Sequence, residues 1–289
     1  MRILVTGHEG FIGKSVFAHL KQGHEVVGFD LKADPKDDVT DYDRVLARMS
    51  SFGPSVVLHL AAQAFIPVGE SSPSLDCNVN VWGTLNVCRA AKAIGTKVVY
   101  HSSGAVYGDQ PVIPVREDCV PNPQSFYGVS KLCAETYVRH FWQHRGLEAL
   151  ITRFSSVSCP GRFEGPVYYF CRDALQKGFV TLTGDGLQSR DITHIDDVLQ
   201  GIDLILNGKV PFRNVYNIAS GHGTTMLDLA RHVFELLGKK PDIRFGPARP
   251  GDIGPNWYDC SRMEACGYRP TRTVDDCIRL TLKDFGWDG

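Results

Sequence analysis

Over its first hundred and fifty or so residues the chain alternates short apolar runs with amphipathic stretches, and this alternation constrains the fold most. Arg2–Thr6 reads as a buried strand, followed by a helix over residues 11–22. Glu25–Phe29 is a second strand, residues 42–51 a helix and residues 54–59 a third strand. A long helix over 74–94 leads into a strand at 97–100, and a helix over 127–145 feeds a strand at 149–152. Strands that are apolar throughout and alternate with helices are buried on both faces, which is the condition of a parallel sheet covered by helices on each side. The expected fold class is α/β, a doubly wound parallel sheet.

After Arg153 the pattern loosens. Loops rich in Gly, Pro and Arg fall at 159–166, 183–191 and 246–256, between helices near 192–207 and 224–238. A chain of 289 residues has room for one large domain or two modest ones. We expect one domain over 1–155, to which 191–218 returns, and a smaller, interleaved C-terminal domain over 156–289.

Composition excludes several classes. Thirty-one Lys and Arg face 32 Asp and Glu, a formal net charge of −1. No bulk field draws the chain to nucleic acid or to an anionic membrane. The apolar run that follows Arg2 is too short for a signal-peptide core, and no apolar stretch is long enough to span a bilayer. The nine cysteines are odd in number, scattered and never spaced Cys-x-x-Cys, which argues against both a disulfide framework and a zinc site. The expectation is a cytoplasmic protein with no metal, no nucleic-acid partner and no membrane.

Two constellations carry chemistry. The first strand ends in Gly7-His8-Glu9-Gly10-Phe11-Ile12-Gly13 and opens a helix. Such a loop makes a tight turn and then offers backbone with no Cβ in the way, so that a pyrophosphate can sit on the helix N-terminus. Asp30 ends the next strand, where a carboxylate accepts hydrogen bonds from ribose hydroxyls and repels a 2′-phosphate, favouring NAD over NADP. In the second, Tyr127 and Lys131 lie four residues apart at the start of a helix and so share a face. A nearby ammonium favours the phenolate and makes tyrosine a usable base near neutral pH. Ser102 and Ser103 stand at the carboxyl end of the fourth strand, where parallel sheets bind ligands.

Taken together, Gly-x-x-Gly-x-x-Gly, Asp30, His59-Leu60-Ala61-Ala62, Asn80-Val81-Trp82-Gly83-Thr84, Ser102-Ser103-x-x-Val106-Tyr107-Gly108 and Tyr127-x-x-x-Lys131 resemble the extended short-chain dehydrogenase/reductases. Within these the chain is similar to the NAD-dependent nucleotide-sugar epimerases and dehydratases, the UDP-glucose 4-epimerases among them. The segments 184–198, 215–221, 249–252 and 259–262 extend the resemblance over nearly the whole chain. It implies a Rossmann-type fold with NAD as cofactor.

By that resemblance Gly7, Gly10, Phe11, Ile12 and Gly13 cradle the pyrophosphate and Asp30 holds the ribose. Asp38 and Val39 flank adenine, while Leu60, Ala61, Ala62, Asn80 and Ser102 line the cofactor cleft. Tyr127 becomes general base and acid at a sugar hydroxyl, Lys131 holds the nicotinamide ribose, and Ser103 hydrogen-bonds the same sugar oxygen. Arg190 and Arg249 pair with the substrate diphosphate, with Ser156 and Asp252 beside them. Arg190, next to Asp191, has an alternative place in a domain-interface ion pair. His59 and His101 read as satisfied strand-end histidines, and Tyr168, Tyr169 and Phe170 as packing.

Three reactions compete. In the related 4,6-dehydratases an Asp-Glu pair follows the hydroxyl residue, whereas here those positions are Gly104 and Ala105, which transfer no proton. A 4-epimerase needs only the Tyr, Lys and hydroxyl set with held NAD. A 4-keto-sugar reductase uses the same residues with exchangeable NADPH, against which Asp30 argues. The family's Asn-Val-Tyr-Gly-Pro segment reads Ser156-Val157-Ser158-Cys159-Pro160 here. A non-catalytic sensor or scaffold of this fold is the remaining class, and it has no reason to keep the acid/base set. The expected activity is therefore epimerisation at C4 of a nucleotide-diphosphate sugar, with a UDP-sugar as substrate. The resemblance also implies a homodimer through a four-helix bundle of the helices near 78–94 and 127–145. Val87, Cys88, Ala91, Val138 and Phe141 either supply its apolar contacts or face their own sheet.

Overall fold

A computed structural model describes residues 1–248 and 254–287. Along the chain run β1 (Arg2–Thr6), α1 (Phe11–Leu20), β2 (Glu25–Phe29), α2 (Tyr42–Phe52) and β3 (Val56–His59). Next come α3 (Ile66–Ser71), α4 (Pro73–Asp76), a π-helical turn (Cys77–Trp82), α5 (Gly83–Ile94) and β4 (Lys97–Ser103). A 3-10 turn (Gly104–Val106) precedes α6 (Phe126–His144), β5 (Ala149–Phe154) and β6 (Ser156–Ser158). Then follow α7 (Pro166–Gln176), β7 (Val180–Thr183), β8 (Ser189–His194), α8 (Ile195–Leu206) and β9 (Val215–Ile218). The chain continues through β10 (Gly223–Thr225), α9 (Met226–Leu236), β11 (Ile243–Gly246), α10 (Ser261–Glu264) and α11 (Val274–Lys283).

The central sheet has the order β2-β1-β3-β4-β5-β9, and its pairs from β2 through β5 are parallel. Leu4, Val57, Val98, Tyr100 and Ile151 pack on one face against Val45 and Met49 of α2, Val87 and Ala91 of α5, and Ala134 and Val138 of α6. Their strand neighbours Ile3, Val5, Val56, Leu58 and Val99 are equally buried. Because strand side chains alternate between faces, the sheet is covered on both sides, as its unbroken apolar strands require.

The chain divides into two compact units: residues 1–108, 120–154 and 208–216 form one, and 109–119, 155–207 and 217–289 the other. The second has its own core, in which Val167 and Cys171 of α7, Leu182 of β7, Ile192 of β8, Leu229 and Val233 of α9 and Ile278 of α11 meet. It carries a three-stranded sheet β10-β8-β6 and a parallel pair β11-β7.

Several sequence expectations need correction. The helix expected over 74–94 is three segments, since a π turn interrupts it at Cys77–Trp82. The loop and helix expected over 183–207 contain the strand β8. Its buried positions include Ser189, Asp191 and Thr193, so no apolar run announces it. Val87, Cys88, Ala91 and Val138 belong to the first unit's core, and Phe141 packs against it. On the same helical segments Leu75, Trp82, Phe126, Val129 and Tyr137 are exposed, Trp82 at 47% and Tyr137 at 43%.

Candidate functional site

The sheet order places β1 between β2 and β3, so the loops after β1 and β3 leave neighbouring strand ends where the winding reverses. Open parallel sheets bind ligands at such points. Gly7 has φ +73°, and a Cβ on it would lie 2.6 Å from the Ala61 nitrogen, so the two loops touch backbone to backbone. A Cβ on Gly13 would lie 2.0 Å from the Gly7 carbonyl oxygen, which sets helix against turn at a distance only glycine permits. The α1 N-cap is Gly10 in extended conformation, which makes no side-chain cap bond of its own. Phe11 and Ile12 form that turn, half-buried, as are Leu60, Ala61 and Ala62 across from it. A helix start that begins on glycine, in a cradle that a Cβ would fill, fits a dinucleotide pyrophosphate.

Asp30 braces this loop. Its Oδ2 accepts the Glu9 N–H at 2.9 Å and its Oδ1 the Lys32 N–H at 2.8 Å. The segment carrying Asp38 and Val39 is tied from three sides. Asp38 Oδ1 accepts the Thr40 N–H at 2.8 Å. Asn86 of α5 donates to the carbonyls of Val39 and Thr40 at 3.1 and 2.9 Å. Arg44 of α2 donates to Asp37 at 2.7 Å and to Asp34 at 3.1 Å.

The acid/base candidates come from β4 and α6. Ser103 ends β4, half-buried, and its Oγ accepts the Ala105 N–H at 3.2 Å. Ser125 caps α6 by accepting the Gly128 N–H at 3.1 Å, which places half-buried Tyr127 in the first turn. Lys131 follows one turn later, buried, with Nζ donating to the His101 carbonyl at 2.6 Å and standing 4.5 Å from the Tyr100 ring centre. Burial lowers its pKa to about 7, with the Glu135 carboxylate opposing that shift. Asn80 joins the loop after β3 to the same helix. It accepts the Gln63 N–H at 2.9 Å and donates to the Gln63 carbonyl at 3.0 Å and to Ser130 Oγ at 2.8 Å. Ser102 Oγ is buried and has no hydrogen-bond partner among the described residues, so it is open to a ligand's polar group.

The two histidines differ. His59 shares hydrogen bonds with Thr6 Oγ1 at 2.7 Å and Thr84 Oγ1 at 2.9 Å, so both ring nitrogens are satisfied as the sequence suggests. His101 meets Thr152 Oγ1 at 2.8 Å through Nδ1, while its buried Nε2 has no partner among the described residues. Burial first, and the charge of Lys131 second, lower both pKa values from 6.5 to about 3. Between those values the unfolded chain binds protons that the folded one refuses, so stability rises with pH across the window and is lost as pH falls through it. Each ring contributes a slope of at most about 1.4 kcal/mol per pH unit. The melting temperature should therefore drop steadily from about pH 6.5 to about pH 4, and a His59→Gln/His101→Gln variant should melt with a shallower slope. An unchanged slope would contradict the assignment.

In the second unit Ser156 and Arg190 sit on the adjacent strands β6 and β8, in a register pairing Ser156 with Ile192. Arg190 Nη1 donates to the carbonyls of Ser189 at 2.7 Å and Gly254 at 3.1 Å. Asp191 accepts from the Ser220 N–H and Oγ–H at 2.9 and 2.7 Å, from the Gly221 N–H at 3.1 Å and from the Tyr258 N–H at 3.3 Å. Burial raises its pKa while these donors pull the other way. Arg249 and Asp252 lie outside the described residues. No group of three or more His, Cys, Asp or Glu suited to a metal occurs among the described residues, and no helix of theirs is long and apolar enough to cross a membrane. Sequence reasoning missed the Asn80–Ser130 link and the buried Glu135–Arg153 pair. Only the spacing of Tyr127, Lys131 and Glu135 on one helical face hinted at the second of these.

Residues 3–219 match the model of the NAD dependent epimerase/dehydratase family. A UDP-glucose 4-epimerase of Mycolicibacterium smegmatis is 30% identical over 99% of this chain and 98% of its own length. Among solved structures, the Thermus thermophilus UDP-glucose 4-epimerase in complex with NAD is 32% identical, with TM-score 0.88 over 100% of both chains. The Thermotoga maritima UDP-glucose 4-epimerase with UDP-glucose is 28% identical, with TM-score 0.90 over 99% of each chain. A family match over most of the chain, joined to a Rossmann-type sheet with its glycine turn and its Tyr-x-x-x-Lys helix, means that this chain belongs to the NAD-dependent epimerase/dehydratase family.

Proposed function

We propose that the chain is a nucleotide-sugar 4-epimerase acting on a UDP-sugar with tightly held NAD. The observation that carries this is the acid/base set. Ser103 ends β4, Tyr127 and Lys131 stand one turn apart on α6, and the residues after Ser103 are Gly104 and Ala105. That set serves proton transfer at one hydroxyl and supplies no second acid and base for dehydration.

Gly7, Gly10, Phe11, Ile12 and Gly13 would hold the pyrophosphate and Asp30 the adenosine ribose. Asp38 and Val39 would flank the adenine. Leu60, Ala61, Ala62, Asn80 and Ser102 would border the cofactor. Tyr127 removes the proton of the sugar C4 hydroxyl and later returns it. Lys131 stabilises the phenolate by its charge and holds the nicotinamide ribose. Ser103 donates to the C4 oxygen as its bond order changes. When bound, NAD would supply reversible hydride chemistry at C4, with no net redox change over a cycle. Arg190 would grip the substrate diphosphate, with Ser156, Arg249 and Asp252 completing that subsite.

Relatives named UDP-glucose 4-epimerase over the full chain length support the choice of a UDP-sugar. The homodimer through a four-helix bundle is part of the same proposal, with exposed Trp82 and Tyr137 on the helices that would pair. Cytoplasmic location is part of it too, and rests on the free cysteines.

The test is release of nicotinamide nucleotide from denatured protein, with turnover of a UDP-sugar panel in the absence of added cofactor. Bound NAD with interconversion at C4 is the expected result. An empty pocket, with activity only on a 4-keto sugar plus NADPH, would make the protein a reductase; nucleotide without any turnover would make it a sensor. Light scattering on the same sample reads the dimer, which a single 32.0 kDa species would refute.

A further inference from the structure

We propose that Glu135, gripped by Arg153, is a positioning residue for Tyr127 and Lys131, setting both the axial placement of their helix and the charge of the lysine. The inference rests on the role given above to Tyr127 and Lys131. These three residues of α6 are spaced four apart and so lie along one face. Glu135 is the innermost, with 0% exposure, and Arg153 of β5 has 1%. The guanidinium makes a two-pronged bond, Nε to Oε1 at 2.9 Å and Nη2 to Oε2 at 2.7 Å. Its Cζ also lies 4.6 Å from the centre of the Tyr107 ring, at the end of the turn that follows Ser103. One fork thus joins the helix bearing the base and the lysine, the strand beside it and the turn next to the catalytic hydroxyl.

Stability alone is a poor reason to bury such a pair, because the cost of dehydrating two charges offsets much of their attraction. Position gives a better one. Lys131 faces the His101 carbonyl and the His101 ring on β4, the Tyr100 ring on β4, neutral His59 on β3, and Glu135 on its own helix, with Tyr127 one turn before it. Arg139 approaches Glu135 from behind at 3.6 Å. The negative charge acting on the buried lysine comes from Glu135, which opposes the loss of the ammonium that burial favours. Arg153 holds that carboxylate one turn from Lys131 in a single orientation.

Removing the carboxylate alone strands a buried guanidinium, so the informative variant is Glu135→Met/Arg153→Met, in which both charges give way to apolar groups of similar volume. Folding is followed by circular dichroism and melting. The alkaline limb, where activity falls as the lysine loses its proton, is read in the pH profile of UDP-sugar epimerisation and in the pH dependence of NADH binding, by fluorescence, to protein stripped of its bound nucleotide. The double variant should fold, and in both readouts the limb should move down by roughly one pH unit. Arg153→Lys keeps the charge but not the fork; its limb should stay in place while kcat falls roughly tenfold. A folded double variant with wild-type limb and wild-type kcat would leave the pair as a tie between β5 and α6 and overturn the proposal. Failure of the sugar assignment shows separately, as wild-type protein that binds NADH with the same limb but turns over no UDP-sugar.

Discussion

Tyr127→Phe is expected to lower kcat by roughly two to four orders of magnitude while leaving bound NAD in place, the range lost when a positioned general acid/base is removed. The phenol sits in the first turn of α6, half-buried, and the cap of that turn is Ser125, so deleting one oxygen leaves the helix start intact. The ring stays and the proton acceptor goes. The drop should therefore appear in kcat with little change in KM, the signature of an interaction made in the transition state. Ser103→Ala should cost less, because it removes one donor to the sugar oxygen and leaves the base in place. Steady-state rates on the UDP-sugar that the wild type interconverts decide the matter. A Tyr127→Phe protein working at wild-type rate would end the assignment of the base.

Gly13→Ala should show the second large effect. The new methyl would meet the Gly7 carbonyl oxygen at 2.0 Å and the His8 Cα at 2.9 Å, both fixed backbone positions. Neither can withdraw without opening the turn between β1 and α1. Overpacking of this kind costs roughly 3 kcal/mol or more, a fall in melting temperature on the order of 5–10 °C for a chain of this size. Gly10→Ala is the control, since its Cβ would lie 3.2 Å from the Gly7 oxygen and need only a small adjustment. That variant should fold nearly as well as wild type yet retain less NAD on purification, because the methyl occupies the path of the pyrophosphate. Equal melting temperatures for the two variants would show that the close approach at Gly13 is not the constraint proposed.

How much of this was legible in the sequence depends on the kind of contact involved. The glycine turn, Asp30 and the Tyr127–Lys131 pair were visible because each rests on local spacing: a turn, a strand end, one helical face. The strands β1 through β5 were visible because both faces of a parallel sheet demand unbroken apolar runs. By contrast β8, with Ser189, Asp191 and Thr193 buried, looks like a loop until Ser220, Gly221 and Tyr258 are seen donating to Asp191. The π turn at Cys77–Trp82 was hidden as well, although it carries the Asn80 that ties the loop after β3 to Ser130. Of the two places the sequence left open for Val87, Cys88, Ala91, Val138 and Phe141, the structure shows the one against their own sheet. Apolar periodicity marks the buried face of a helix, which here is the one turned to its own sheet, and leaves Trp82, Phe126 and Tyr137 among the exposed side chains.

Sequence alone determined the α/β class and the cofactor type and singled out Ser103, Tyr127 and Lys131 as the proposed acid/base set, because local geometry and residue chemistry specify them within a few positions. Tertiary structure alone decided the environment of that set: Lys131 buried against the His101 carbonyl, His101 paired on one side only, and Glu135 in the fork of Arg153 eighteen residues away in the chain. Desolvation and the field of a neighbouring charge depend on which segments the fold packs together in space, and no spacing along the chain encodes that distance.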